Sequence, residues 1–227
     1  MENVLAIIQD NVNNIQEKIN KTAKDWGRVP SDINLVAVSK KQSIDKIKES
    51  LDSGHRLFGE NKVQEAYEHW ADLKDNYEDI KLHMIGHLQT NKVKEAVALF
   101  DVIETVDSKK IAKKISDELN KQEKSLSCFI QVNTGQESQK YGVIPDELED
   151  LIDYCRSDDV NLDVIGLMCI PPSDEPYGLH FAFLRKLGEK HGLFQLSMGM
   201  SSDYDKAIMA GASHIRIGTA IFGDRGD

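Results

Sequence analysis

Short runs of aliphatic and β-branched residues alternate with amphipathic stretches along almost the whole chain, and this alternation restricts the fold more than any other feature. Residues 2–26 carry Val4, Leu5, Ile8, Val12, Ile15 and Ile19 at helical spacing with charge between them. INLVAVSK follows, a run suited to a parallel strand buried on both faces. SIDKIKESLDSG then opens on serine and closes on glycine, the signals that bound a helix. The alternation repeats as RLFGE before NKVQEAYEHWADLKD, KLHMIG before NKVKEAVAL, and FDVIETV before SKKIAKKISDELNKQEK. SLSCFIQVN precedes PDELEDLIDYCRS, whose Pro145 stands at a favoured first-turn position. NLDVIGLM, FQLSMG and HIRIG supply three more strands, with helices near 177–190 and 202–210.

About eight strands interleaved with helices predict an α/β fold, a single (β/α)8 TIM-type barrel with an extra N-terminal helix. A doubly wound open sheet shares the alternation, because strand count does not prove closure. Little chain follows the last strand, so the N-terminal helix is expected to stand in for a full eighth outer helix. No linker, low-complexity tract or repeat marks a second domain, and residues 1–227 are read as one domain of ordinary barrel length.

The net charge of −10 and a pI near 5.2 argue against a surface built to grip nucleic acid or anionic membranes. The N-terminus is interrupted by charge, unlike a signal peptide, and no stretch approaches the ~20 apolar residues of a membrane span. Cys128, Cys155 and Cys169 are odd in number and lack metal-ligand spacing. They are read as reduced and structural, with a cytoplasmic address; a catalytic or redox cysteine is the alternative. His83 and His87 are four apart, but Gly86 and the strand reading of LHMIG oppose a helical metal pair, and no metal is expected. His214 is expected to pack structurally. The helix at 108–124 carries acids among its lysines and reads as a solvated face. No strongly apolar exposed helix face stands out, so a monomer is expected.

In a β/α barrel, functional groups sit where strands end on the C-terminal face. The unusual residues fall at those places. Lys40 ends the first strand, Asn61 follows the second, and His87 and Gln89 follow the third. Asn133 ends the fifth strand and Met168 the sixth; Ser197 to Ser201 follow the seventh, and Arg216, Gly218 and Thr219 lie at the eighth. An exposed lysine is ordinarily a solvated charge. Lys40 instead follows the apolar run LVAV, where desolvation lowers a lysine's pKa and leaves an amine able to attack an aldehyde. Strand alternation points the adjacent Lys41 away from it.

SMGMSSDYDKAI and RIGT combine glycines, hydroxyls and helix starts at the position where barrels build phosphate sites. The plainer reading is that Gly199 and Gly218 make turns while Ser201 or Ser202 caps a helix. Arg216 lies between Ile215 and Ile217, so it faces the barrel side of its strand. Its partner there is either a core carboxylate or a ligand atom, since a buried arginine without one is costly.

Together, LVAVSK, FGENKVQEA, HMIGHLQTNK, IQVNTG, IGLM and LSMGMSSDYDKAI…IRIGTAIFG resemble the pyridoxal phosphate homeostasis protein family, in register from about residue 33 to 223. That family is similar to the barrel domain of alanine racemase standing alone. The resemblance implies pyridoxal 5′-phosphate (PLP) held as a Schiff base on Lys40. It implies Arg216 facing the pyridine nitrogen, Ser201, Gly218 and Thr219 cradling the phosphate, and Asn61 beside the cofactor. Two departures are visible: Lys41 replaces a small polar residue, and the loop SDEPYGLH is short, which bears on access.

Turnover on PLP needs an acid and a base beside the substrate α-carbon. In alanine racemase the second base is a tyrosine from another domain of the partner subunit. An arginine at the pyridine nitrogen also disfavours a protonated ring and makes a weaker electron sink. The expected role is therefore PLP storage, buffering or delivery, with PLP-dependent apo-enzymes as partners and little turnover. The alternatives are a racemase-like enzyme with Lys40 as base and Tyr141 or His87 as the second group, and a phosphate-binding barrel enzyme without PLP.

Overall fold

The computed structural model describes residues 2–223, with side chains from Ile7 onward. Eight parallel strands close on themselves in sequence order: β1 (Asn34–Val38), β2 (Leu57–Glu60), β3 (Lys81–Met84), β4 (Val102–Val106), β5 (Ser127–Gln131), β6 (Asp163–Met168), β7 (Gln195–Ser197) and β8 (His214–Ile217). Closure is made by β1 against β8, in the register Asn34↔His214 to Ala37↔Ile217. The open-sheet alternative is thereby excluded, and the (β/α)8 reading holds.

The helices follow the expected alternation. α1 (Glu2–Asp25) precedes the barrel; α2 (Ile44–Asp52), α3 (Val63–Trp70), α4 (Leu73–Asn76), α5 (Val93–Leu99), α6 (Lys109–Gln122), α7 (Leu148–Arg156), α8 (Tyr177–His191), α9 (Tyr204–Met209) and α10 (Thr219–Phe222) follow successive strands. Caps set several starts: Ser43 accepts from the Lys46 amide at α2, and Ser108 from the Ile111 amide at α6. The stretch 61–75, read as one helix, divides into α3 and α4. Ala71 and Asp72 between them keep helical dihedrals, so the break lies in hydrogen bonding rather than direction. Pro145 opens a single 3-10 turn, and α7 starts only at Leu148.

Parallel strands buried on both faces demand apolar side chains on both faces. Leu35 and Ala37 of β1 join Ile47, Leu51, Phe58 and Trp70 in the layer between barrel and helices. Phe58 and Trp70 pack with ring centroids 4.6 Å apart. Burying side chains of this size contributes about 1.5–3 kcal/mol each. Val36 instead pairs in register with Arg216, and both point into the barrel.

α1 packs on α2, α9 and α10, filling the place left by the very short α10. Ile15, Ile19 and Ala23 are buried there, and Asn11 Nδ2 donates to the Ile221 carbonyl at 2.9 Å. Arg28 Nη1 ties the end of this segment to the carbonyls of Ile208 (2.9 Å) and Ala212 (2.6 Å). The three cysteines are buried and free, and burial pushes their thiols up, Cys155 and Cys169 to about 12. Such thiols are protonated and inert at neutral pH. Among the described residues, no helix is long and apolar enough to cross a membrane.

Candidate functional site

The C-terminal ends of the strands surround a cavity of about 320 Å³. Lys40, Asn61, Ser201, Arg216, Gly218 and Thr219 all line it. Ile85, Ile170 and Met200 add apolar wall; Gln42, which the sequence did not single out, and Ser202, read there only as a candidate helix cap, add polar groups. Their positions just beyond β1, β3, β6 and β7 were the available signal.

Lys40 does not end a strand. β1 stops at Val38, and Ser39 turns its side chain away to donate to Glu60 Oε1 at 2.7 Å. Lys40 then stands half-buried in the following turn, on the cavity wall. Lys41 is exposed, as expected, but not through strand alternation: it adopts a left-handed conformation with φ 58°, and its amide donates to the Glu65 carboxylate. This turn separates the two lysines, and Lys41 lines a different surface groove.

Asn61 leaves β2 with its Oδ1 buried and without a hydrogen-bond partner. An orphaned buried acceptor beside a cavity marks a place where a ligand donor fits. Arg216 is 4% exposed; its Nη1 donates to Ser197 Oγ at 2.6 Å and its Nη2 to the Cys169 carbonyl at 2.9 Å. Glu104 Oε2 lies 3.9 Å from the same Nη1. Of the two expected partners, the core carboxylate is present, and the guanidinium also lines the cavity.

Gly199 holds the turn after β7 at φ +94°, where a Cβ would come within 2.5 Å of Ala207 Cβ. Its carbonyl accepts from the Arg216 amide at 3.0 Å, joining the β7 exit to β8. Ser201 and Ser202 are exposed and do not cap α9; Asp203 occupies that position and accepts from the Met200 amide at 2.5 Å. Their hydroxyls are thus not used as caps, contrary to the plainer reading.

Other strand-end residues lie elsewhere. His87 and Gln89 line a second cavity of about 390 Å³ that shares only Asn61 with the first. Tyr141 also lines it, stacked on His87 with ring centroids 3.7 Å apart. Asn133 is occupied by the loop that follows, through Glu137 N–H and C=O at 3.2 and 2.8 Å. Met168 is fully buried. His214 packs between rings, 5.7 Å from His83 and 5.2 Å from Phe129, and burial lowers its pKa to about 4. Glu60, Glu65 and His69 bring ligand-type atoms within 4.8 Å of one another. Hydrogen bonds account for this grouping: Glu60 Oε1 accepts from Ser39, His69 Nδ1 (3.0 Å) and Trp70 Nε1 (3.2 Å).

The family described as alanine racemase, N-terminal domain, matches residues 5–226. A pyridoxal phosphate homeostasis protein of Vibrio cholerae is 38% identical over 228 residues, 96% of each chain. The chain belongs to the pyridoxal phosphate homeostasis protein family. PipY of Synechococcus elongatus, a solved structure with PLP bound, is 31% identical with a TM-score of 0.81. The match covers 95% of this family member and all of PipY (100%). Alanine racemase of Clostridium difficile shares the fold, with a TM-score of 0.69 at 15% identity; 98% of this chain covers 58% of that one. These likenesses bear out the family read from the motifs and the racemase-like barrel.

Proposed function

We propose that this protein binds PLP in the 320 Å³ cavity, with Lys40 as its covalent anchor, and serves intracellular PLP storage, buffering or delivery. The observation that carries this reading is the gathering of Lys40, Asn61, Ser201, Arg216, Gly218 and Thr219 around one cavity from four separate strand ends. The volume suits a ligand of this size, and the groups present suit its chemistry. When bound, PLP supplies an aldehyde that a lysine captures as a Schiff base and a ring that withdraws electrons. Lys40 reaches that aldehyde from the β1 turn. Arg216 meets the ring nitrogen as a donor, Ser201, Gly218 and Thr219 receive the phosphate, and Asn61 Oδ1 accepts from the cofactor. The chain acts as one cofactor-binding domain in this reading, as a cytoplasmic monomer that hands PLP to apo-enzymes.

Little turnover is expected, for two reasons. The acid/base candidates Tyr141 and His87 stack on each other and line the neighbouring cavity, not the one with Lys40. Arg216 offers the ring nitrogen a donor where a strong electron sink needs a carboxylate acceptor. The test pairs equilibrium uptake of PLP with a chiral assay of L-alanine. Tight uptake with no D-alanine formed supports the carrier reading. Conversion abolished by Lys40→Ala would establish the racemase-like alternative instead.

A further inference from the structure

Beneath the cavity the barrel interior holds charged groups among its apolar ones. Glu104, at the middle of β4, is fully buried. Its Oε1 accepts from His83 Nδ1 of β3 at 2.7 Å, and its Oε2 from Ser197 Oγ of β7 at 2.6 Å. Ser197 Oγ has one proton to give and gives it to Glu104, so its lone pairs face Arg216 Nη1 of β8, also at 2.6 Å. Four strands thus contribute one side chain each to a continuous chain of hydrogen bonds. His214 of β8 borders it against the His83 ring.

A buried carboxylate is an expensive way to fill a core, and an apolar residue of similar volume often serves stability as well. Glu104 is nevertheless held as an anion. Burial alone pushes its pKa up, but the His83 hydrogen bond and the positive surroundings of His83, Arg216 and His214 outweigh that and hold it at about 2. The charged groups facing Arg216 are Glu104 through Ser197 and, more remotely, Asp203 at the β7 exit. Of this cluster, Arg216 alone lines the cavity. Whatever the cluster does for a ligand passes through that guanidinium.

We infer that Glu104 is a positioning residue for Arg216, fixing the guanidinium at the cavity floor through Ser197 and balancing its charge there. This rests on the PLP reading of the cavity and assigns a role to a group that never touches the ligand. An uncompensated cation at so buried a point would oppose a second positive charge nearby, such as a protonated Schiff base on Lys40. Glu104 removes that opposition, because its negative charge cancels much of the guanidinium field in a medium of low dielectric constant.

The experiment is a pH titration of the visible absorbance band of the PLP-loaded protein, in wild type and Glu104→Gln. Glutamine keeps the shape and an acceptor but loses the charge. The expected result is a midpoint moved to lower pH by about one unit, a tenfold change in the protonation equilibrium. Cys155→Ser, a buried change away from the cluster, is expected to lower stability without moving the midpoint. An unmoved midpoint in Glu104→Gln overturns the inference. Should that variant fail to fold, Ser197→Ala breaks the positioning link and leaves the charge in place; displacement of Arg216 Nη2 from the Cys169 carbonyl is expected in its crystal structure, and an unmoved guanidinium overturns the inference. If the wild-type protein takes up no PLP, the reading of the cavity has failed, and the inference is tested on a crystal structure of Glu104→Gln alone. Displacement of Arg216 Nη2 from the Cys169 carbonyl is then expected, and an unmoved guanidinium contradicts it.

Discussion

Gly86 lies so close to Asn61 that a Cβ on it would stand 2.2 Å from the Asn61 carbonyl oxygen. The exits of β2 and β3 are therefore pressed together at the cavity wall, and glycine is the residue that permits it. The obstacle is backbone rather than a flexible side chain, so it cannot swing aside. Gly86→Ala is expected to lower stability by about 1–3 kcal/mol, the range for overpacking. It should also weaken PLP binding about tenfold by displacing Asn61, roughly the 1.4 kcal/mol of one misplaced contact. Urea denaturation and an equilibrium PLP titration check the two effects; an alanine variant unchanged in both would contradict the account.

Acid should loosen the barrel in two overlapping steps. His214 is pushed by burial from the usual 6.5 to about 4. Between those values the unfolded chain takes up a proton that the folded chain refuses, so stability falls as pH drops through that window. Glu104 is held at about 2 against its usual 4.5, so its contribution is complete above about 4.5 and is lost as pH falls toward 2. Denaturation midpoints measured from neutral pH downward should decline over the whole range. Glu104→Gln should start lower and flatten the part below about pH 4.5.

The N-terminal helix is expected to be as necessary as any helix of the barrel. Ile19 is fully buried beneath α1, and Asn11 secures that helix to α10. Ile19→Ala should cost about 2–5 kcal/mol, the range for deleting a buried aliphatic side chain. A loss below about 0.5 kcal/mol, the value for a surface position, would mean that α1 is only loosely applied.

Most of the architecture was legible because parallel strands buried on both faces leave continuous apolar runs such as LVAV. The cavity residues were legible for a related reason: polar and glycine residues interrupting those runs at the strand ends mark the mouth of a barrel. The turn at Lys40 and Lys41 was not, since a left-handed lysine at φ 58° leaves no trace in composition. Glu104 carried a faint signal as the one acid within VIETV. Its meaning depended on closure, which brings Ser197, 93 residues away, and Arg216 onto the same side of the barrel. Hydrogen bonds between strands so distant in sequence follow no local periodicity.

The central claim is that Lys40 anchors PLP, and borohydride trapping followed by peptide mapping tests it most directly. The purified protein loaded with PLP should show a visible absorbance band that reduction abolishes. The pyridoxyl adduct should map to Lys40 and be missing from Lys40→Ala. Absence of the band after PLP is added, or an adduct confined to Lys41 or another lysine, would contradict the account.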